Sequence, residues 1–336
     1  MGASIRWRLA SSFPRSSDTI WPAMTDLADR VAMLTDGGFV IEPSPAGEPH
    51  AATDVLDLVI RGDVQCGHTA GSFFVDRDPV LALATFVPFG LDARRHAAWL
   101  AGPGAERAAA AWERQGLVAL ACGNTGAQTG GWFRRPVQDA ASFSGLRIRT
   151  AGLPALVLER LGAKPRSLSA SQILAQLRSG ELDAADWIGP HDDRMMGFHR
   201  VAPFHHYPGV LEPSAQLSLV VGRAGWEALP DGYRAALHCA AAAVERALLI
   251  RYDTLNPIAL AGLREDGVTV VRFPDHVVAA LRRATAEVLD ELAAGDRHFA
   301  DALRSYRAFA DLGRDWAMMG ELDTARAVLG DAAVER

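Results

Sequence analysis

No apolar run in this 336-residue chain approaches the roughly 20 residues that a membrane-spanning helix requires. Positive charge is not in excess either. The chain has 34 Lys and Arg against 40 Asp and Glu, a formal net charge of −6, and no basic block. A nucleic-acid partner is therefore not expected. Cysteine is scarce: Cys66, Cys122 and Cys239 are odd in number and lack metal-ligand spacing, and Cys66 and Cys122 read as small buried residues in strands. The secretory apolar core is missing too, since Met1-Gly2-Ala3-Ser4 runs straight into strand-like Ile5-Arg6-Trp7-Arg8-Leu9. Either the protein is cytoplasmic, or a signal peptide was trimmed and replaced by a start Met. What remains is an ordinary globular balance, 49% hydrophobic and 22% charged, long enough for two cored domains.

The most informative stretch is Ala184-Ala185-Asp186-Trp187-Ile188-Gly189-Pro190. A short strand, Glu181 to Ala185, runs into an acid, an aromatic and a Gly-Pro turn that cannot continue it. Asp186 and Trp187 are thus expected at the carboxyl end of a buried strand, where open α/β sheets bind ligands. Asp is also common in turns, so a capping role stays open. Val55 to Thr69 follows the same grammar of helix, Gly-acid, short strand and polar residue. Setting Gly62 against Gly180 places His68 opposite Asp186, as if two similar α/β units shared one cleft. His68 can touch a ligand there or simply hydrogen-bond a loop carbonyl.

In chain order, the spacing predicts a strand at Ile5 to Ala10, then a helix from about Thr19 to Leu34 capped by Ser16-Ser17-Asp18. A strand follows at Phe39 to Glu42, then a loop at Pro43, Pro45 and Gly47, and a helix from about Ala51 leads to the strand ending at His68. This β-α-β-α-β order implies a mostly parallel sheet. Phe73 and Phe74 read as core or cleft wall. Arg94 to Gln115 reads as one long Ala-rich helix, and Leu117 to Cys122 as a buried strand. The glycine-rich run Gly123 to Gly131 is where the chain is expected to cross between lobes. It lacks the Gly-Lys-Ser/Thr ending of a phosphate loop, and no clear helix follows for a dinucleotide fingerprint.

Beyond that run, Leu146 to Arg149 alternates as a strand, with Arg147 and Arg149 on one face and Arg149 at the end. Arg149 is either a surface charge or a cleft residue. Leu153 to Leu161 is helical, and Asp192-Asp193 read as acids capping a further helix. Pro203 to Glu212 looks like a loop, whose adjacent His205 and His206 would point apart and suit one metal poorly. Gln216 to Val221 is a strand returning the chain to the first lobe. Asp231 to Arg264 is nearly continuous helix, interrupted at Asn256-Pro257. A strand at Val268 to Phe273 is followed by helices at Asp275 to Ala294, Arg297 to Leu312 and Leu322 to Val328. That helical tail would wrap the molecule or pack on a second copy.

These segments resemble the solute-binding proteins of TRAP (tripartite ATP-independent periplasmic) transporters, in the branch that binds 2-oxo and 2-hydroxy monocarboxylates. The likeness is carried by Ser11-Ser12-Phe13-Pro14, Gly67-His68-Thr69-Ala70-Gly71, Val87-Pro88-Phe89-Gly90-Leu91, Gly123 to Gln128 with Gly130 to Arg134, Gly145 to Arg149, Asp186 to Pro190 and Tyr207-Pro208-Gly209. It implies an α/β, two-lobed periplasmic-binding-protein fold with a hinged central cleft. Residues 1–123 with 213–252 would form lobe I, 124–212 with 253–310 lobe II, and 311–336 a C-terminal helical extension used for dimerisation. Arg149 matches the family's carboxylate clamp. Gln128, Asn124, Trp187, Phe73 and His68 are the further substrate-binding candidates. Gln128, Asp186, the Trp187 backbone carbonyl and Glu212 match the positions that hold a cation bound with the substrate. No catalytic residue is implied. Where the family often carries tyrosines, this chain has Ser72-Phe73-Phe74, and Asp186 replaces a Glu of some members.

Physical chemistry agrees with the likeness. Arg offers a planar fork that pairs bidentately with a carboxylate, and hard cations prefer several oxygen ligands. Asp186, Glu212 and a monocarboxylate carry three negative charges against one on Arg149, so calcium neutralises the cleft whereas sodium, the alternative, leaves one charge over. The implied protein is periplasmic and not an enzyme. It would be a homodimer that delivers its ligand to TRAP membrane subunits. A metal-assisted enzyme acting on a 2-oxo acid and a ligand-presenting sensor are the competing readings. No activated nucleophile or base-orienter pair supports the enzyme.

Overall fold

The computed structural model describes residues 5–47 and 49–330. Residues 1–4 of the expected first lobe and 331–336 of the expected extension lie outside the described residues. Among the described residues eleven strands form two sheets: β1 (Ile5–Pro14), β2 (Phe39–Ala46), β3 (Cys66–Thr69), β4 (Leu117–Asn124), β5 (Gly131–Phe133), β6 (Arg147–Arg149), β7 (Lys164–Arg166), β8 (Ala184–Ala185), β9 (Phe204–Tyr207), β10 (Gln216–Gly222) and β11 (Thr269–Arg272). The first sheet has the order β2-β1-β3-β10-β4 and the second β11-β9-β5-β8-β6-β7. Helices cover both. Leu9, Met24, Leu27, Phe39, Leu219 and Leu237 are fully or almost fully buried on one face of the first sheet. Phe133, Phe143, Ile148, Val157, Phe273 and Leu281 do the same for the second. Each such side chain contributes roughly 1.5–3 kcal/mol on burial.

The expected parallel order holds for β1 with β2 and β3, but each sheet contains one reversed strand. β10 is antiparallel to β3 and β4. β5 is antiparallel to β8 and β9. These are the two strands that follow a direct crossing at the cleft, whereas the third change of sheet, from β10 to β11, runs through helix Asp231–Glu265 and delivers a parallel strand. A chain that crosses at the cleft enters its new sheet from the cleft end and must run away from it. The other nine strands run toward the cleft, so their carboxyl ends converge there.

Other departures have local causes. β2 continues through Pro43 and Pro45, where a loop was expected, because it lies at a sheet edge and needs no N–H on its outer side. The stretch expected as a loop at Pro203 to Glu212 holds β9, with Pro203 and Pro208 masking the strand pattern. Its two histidines do point apart: His205 stacks on Trp132 with ring centroids 4.1 Å apart, and His206 on Phe273 at 4.6 Å. The long helix expected from Arg94 is two, Ala93–Ala101 and Ala105–Arg114, broken at Gly102-Pro103-Gly104. Conversely, Asp231–Glu265 is one 35-residue helix that carries Pro257 without interruption. It packs on β4 and on helix Ile20–Leu34 beside the first sheet, and on helix Pro190–Met196 beside the second.

Thr19, and not Ser16 to Asp18, occupies the N-cap position of helix Ile20–Leu34, and its side chain does not cap it. Its hydroxyl lies 2.9 Å from Asp192 and 2.8 Å from the Tyr252 hydroxyl. Asp192 is therefore no helix cap. It joins the two layers and the long helix. Asp193 accepts from the N–H groups of Ile188 and Gly189, both at 3.2 Å, and from Trp132 Nε1 at 2.7 Å. The Asp186 turn is thereby tied to β5. The glycines paired in the sequence also correspond, since Gly62 and Gly180 both have φ +77°, the left-handed conformation that closes the helix before β3 and β8.

Trp132→Phe removes a donor to the buried Asp193 carboxyl and keeps an aromatic ring on His205. Burial pushes the Asp193 carboxyl up to about 8, so at neutral pH the bond lost is worth about 0.5–1.5 kcal/mol. The variant should unfold at lower urea with an unchanged slope, and an unaltered midpoint would show that this bond does not hold the turn.

Candidate functional site

A small cavity opens where the strand ends converge. Phe13, Ile20, Ser72, Phe73, Phe86 and Leu217 line it from the first sheet's side, and Arg149, Thr150, Asp186, Trp187, Ile188 and Glu212 from the second's. Thr125 and Gln128, on the first crossing, complete it. Its volume is about 50 Å³. One water needs at least roughly 10–15 Å³ on this measure, so the space suits a ligand of a few heavy atoms. Six of the eight sequence-predicted residues meet here: Arg149, Gln128, Asp186, Trp187, Glu212 and Phe73.

His68 and Asn124 do not line it. His68 is fully buried, and its Nε2 sits 2.9 Å from the Cys122 carbonyl. Burial lowers its pKa to about 4, so it is neutral. Within β3 it pairs with Ser11 and Leu219, inside the ladder, whereas Asp186 lies one residue past the end of β8. Asn124 donates to Gln216 Oε1 at 3.2 Å and accepts from Gly126 N–H at 2.9 Å, which shapes the crossing instead of facing the cavity.

Arg149 ends β6 and is 9% exposed. Its Nη1 donates to the Asp186 carbonyl at 2.6 Å, and its guanidinium lies over the Trp187 ring, 4.6 Å from the centroid. Nε, on the other edge of the fork, is buried without a hydrogen-bond partner. Burial lowers the Arg149 pKa from its usual value, opposed by the charges of Asp186, Glu212 and Asp193. Arg147, two residues earlier, is different: its Nε and Nη2 grip Asp183 at 2.8 and 2.6 Å. One arginine of the strand is saturated, and the other keeps an edge free.

Burial pushes the Asp186 carboxyl up to about 6, with the Arg149 charge pulling it down. Glu212 rises well above the usual carboxylate range through burial and the neighbouring Asp186. Gln128 spends both amide hydrogens, on Thr125 Oγ1 at 3.0 Å and on Glu212 Oε1 at 3.1 Å. Its own Oε1 is buried without a partner. Its backbone is held closely, since a Cβ on Gly209 would stand 2.6 Å from the Gln128 carbonyl oxygen. No three His, Cys, Asp or Glu side chains cluster in metal-binding fashion among the described residues. Instead, two carboxylates are joined by a bare amide oxygen, an all-oxygen set that fits a hard cation. Sequence reasoning missed Thr125, Phe13, Ile20 and Phe86. Phe13 and Thr125 stood within segments already singled out, but nothing in the sequence showed that they face the cavity.

Residues 10–296 match the DctP family, described as bacterial extracellular solute-binding protein, family 7. The chain is 35% identical over 320 residues to the monocarboxylate 2-oxoacid-binding periplasmic protein of Nostoc sp., covering 95% of this chain and 88% of that one. Among solved structures, a TRAP transporter solute-binding protein from Bordetella bronchiseptica superposes with a TM-score of 0.96 at 33% identity, covering 100% of both chains. It is a mixed-occupancy dimer with copurified calcium and picolinate in one active site. A TRAP periplasmic solute-binding protein from Pseudoalteromonas atlantica, with bound sodium and pyruvate, gives 0.92 at 30% identity, covering 96% of this chain and 98% of that one.

The carboxyl pair also imposes a pH dependence. Asp186 releases its proton near 3.8 when unfolded and near 6 in the ligand-free fold, which therefore holds the extra proton between these values. The stability contribution is fully present below the unfolded value and is lost as pH rises through about 6. Melting temperatures of wild type and Asp186→Asn in chelated, ligand-free buffer should diverge as pH rises from about 3.8 through about 6, with wild type falling relative to the variant, and level off above that. Parallel profiles would refute the buried acid.

Proposed function

The chain belongs to the DctP family of bacterial extracellular solute-binding proteins, and we propose that it captures a small 2-oxo or 2-hydroxy monocarboxylate together with a cation and delivers it to TRAP membrane subunits. The observation that carries this reading is the unfilled valence of the cavity: a guanidinium with its Nε unpaired beside two carboxylates and an unpaired amide oxygen. Arg149 takes the ligand carboxylate. Gln128, Asp186, Glu212 and the Trp187 carbonyl hold the cation, which supplies the positive charge that lets two acids stand near an anionic ligand. Three negative charges against one positive favour calcium, with sodium as the alternative. The apolar walls Phe13, Phe73 and Phe86 offer nothing to a second carboxylate.

The protein works outside the cytoplasm as a carrier, with no chemical step assigned to it. His68, the one imidazole near the cleft in the sequence reading, is locked to a main-chain carbonyl. Residues 1–123 with 213–252 serve as one lobe and 124–212 with 253–310 as the other, the last boundary falling inside the shared helix Asp231–Glu265. The C-terminal extension mediates a homodimer: Leu312, Trp316, Met319 and Leu329 are 84%, 67%, 66% and 63% exposed, too much bare apolar surface for a helix facing only water.

Calorimetry with pyruvate tests the site. Exhaustive chelation in sodium-free buffer should abolish most of the binding, and calcium should restore it. With calcium present, Arg149→Lys should weaken affinity by about 10- to 100-fold, the equivalent of losing a charged hydrogen bond. Unchanged binding after chelation, or in the variant, would overturn the assignment.

For the dimer, truncation after Ala310 should yield monomers by light scattering. A full-length protein that is already monomeric at micromolar concentration would show the idea to be wrong.

A further inference from the structure

Among the polar groups in the cleft that the proposed site leaves without a task is the hydroxyl of Thr125. It is 2% exposed and sits on the first crossing between the sheets, directly after β4. A threonine hydroxyl has one hydrogen to donate and two lone pairs to receive. Here all three are used. Oγ1 donates to the Gly126 carbonyl at 3.2 Å, accepts from the Ala215 N–H at 2.9 Å and accepts from Gln128 Nε2 at 3.0 Å. With its hydrogen committed to Gly126, Thr125 meets Gln128 only as an acceptor.

That commitment decides which way the Gln128 amide faces. The two ends of a glutamine amide are nearly the same size, so shape alone does not choose between them. Turned over, the amide would set its oxygen against the Thr125 lone pair and, once Glu212 is ionised around a cation, against Glu212 Oε1, which now accepts its second hydrogen at 3.1 Å. The cavity would then meet an NH₂ group, a donor that repels a cation. In the observed orientation it meets Oε1, buried and unpaired.

We propose that Thr125 is a positioning residue for cation binding: it holds the Gln128 amide so that its oxygen, and not its nitrogen, is presented to the cleft. This rests on the reading that Gln128 is a cation ligand. Thr125 also ties the two crossings together, since its N–H donates to the Ala215 carbonyl at 3.1 Å and Ala215 precedes β10. The orientation of the amide is therefore coupled to the pairing of the segments that link the lobes.

Terbium, an oxygen-seeking substitute for calcium, tests this with the full-length protein. Trp187 lines the cavity and can sensitise its luminescence. Decay rates in H₂O and D₂O count the waters on the bound ion. Gln128→Ala should add about one water, because a lost oxygen ligand is replaced by solvent. Thr125→Val should add the same water and weaken calcium by a similar factor, while Thr125→Ser should behave as wild type. In the Gln128→Ala background, Thr125→Val should change nothing further, which a merely structural role would not produce.

If Gln128→Ala adds a water and Thr125→Val does not, the positioning role is wrong while the cation site stands. If Gln128→Ala adds none, or wild type binds no terbium, the reading beneath it fails and the inference falls with it. Should Thr125→Val not fold, neutron diffraction of the wild type reports directly. A Thr125 deuteron on the Gly126 carbonyl supports the role, and one pointing to Gln128 overturns it.

Discussion

Two carboxylates and one guanidinium share a cavity of about 50 Å³, and that imbalance governs the cleft. Asp186 and Glu212 each raise the cost of ionising the other, and Arg149 offsets only part of it. With both acids buried, the remaining negative charge cannot be left alone. It either keeps a proton or attracts a cation. On the proposed reading an anionic ligand sharpens the demand, so that substrate and cation would bind with positive coupling, each removing a penalty the other faces. The cation–π contact of Arg149 with Trp187 and its bond to the Asp186 carbonyl keep the guanidinium in place with one edge free.

The topology exists to bring these groups together. Strand ends deliver Arg149 and Asp186, and the crossings deliver Gln128 and Glu212. The reversed strands β5 and β10 follow from the same plan, because a chain entering a sheet at the cleft has only one direction to run. The site therefore sits at the junction of the two sheets, where a change in their relative position alters it most. Asp192 works at that junction from outside the cavity, meeting the Thr19 hydroxyl at the start of the first long helix, with Tyr252 of the 35-residue helix alongside. The contact between the two layers thus holds a buried hydrogen-bond set as well as the cleft.

The sequence by itself determined the alternation of strands and helices, the first crossing at Gly123 to Gly131, and the strand-end positions of Arg149 and Asp186. These are local properties, in which apolar period, glycine and proline settle the backbone over a few residues. The position of Glu212 just before the return strand already placed it at the cleft edge, but the cation role of Gln128 and Glu212 was legible only through likeness to a family, since neither sits in a pattern that names it. Tertiary structure decided the rest. His68 and Asp186 share one grammar, yet the ladder of β3 runs past His68 and seals it, while β8 stops one residue before Asp186. β2 and β9 tolerate or adjoin prolines because of their places in the sheets, which no local window reveals. Phe13, Ile20, Phe86 and Thr125 entered the site because contacts between segments far apart in the chain depend on how two sheets meet, and that is a property of the packed fold and not of any stretch within it.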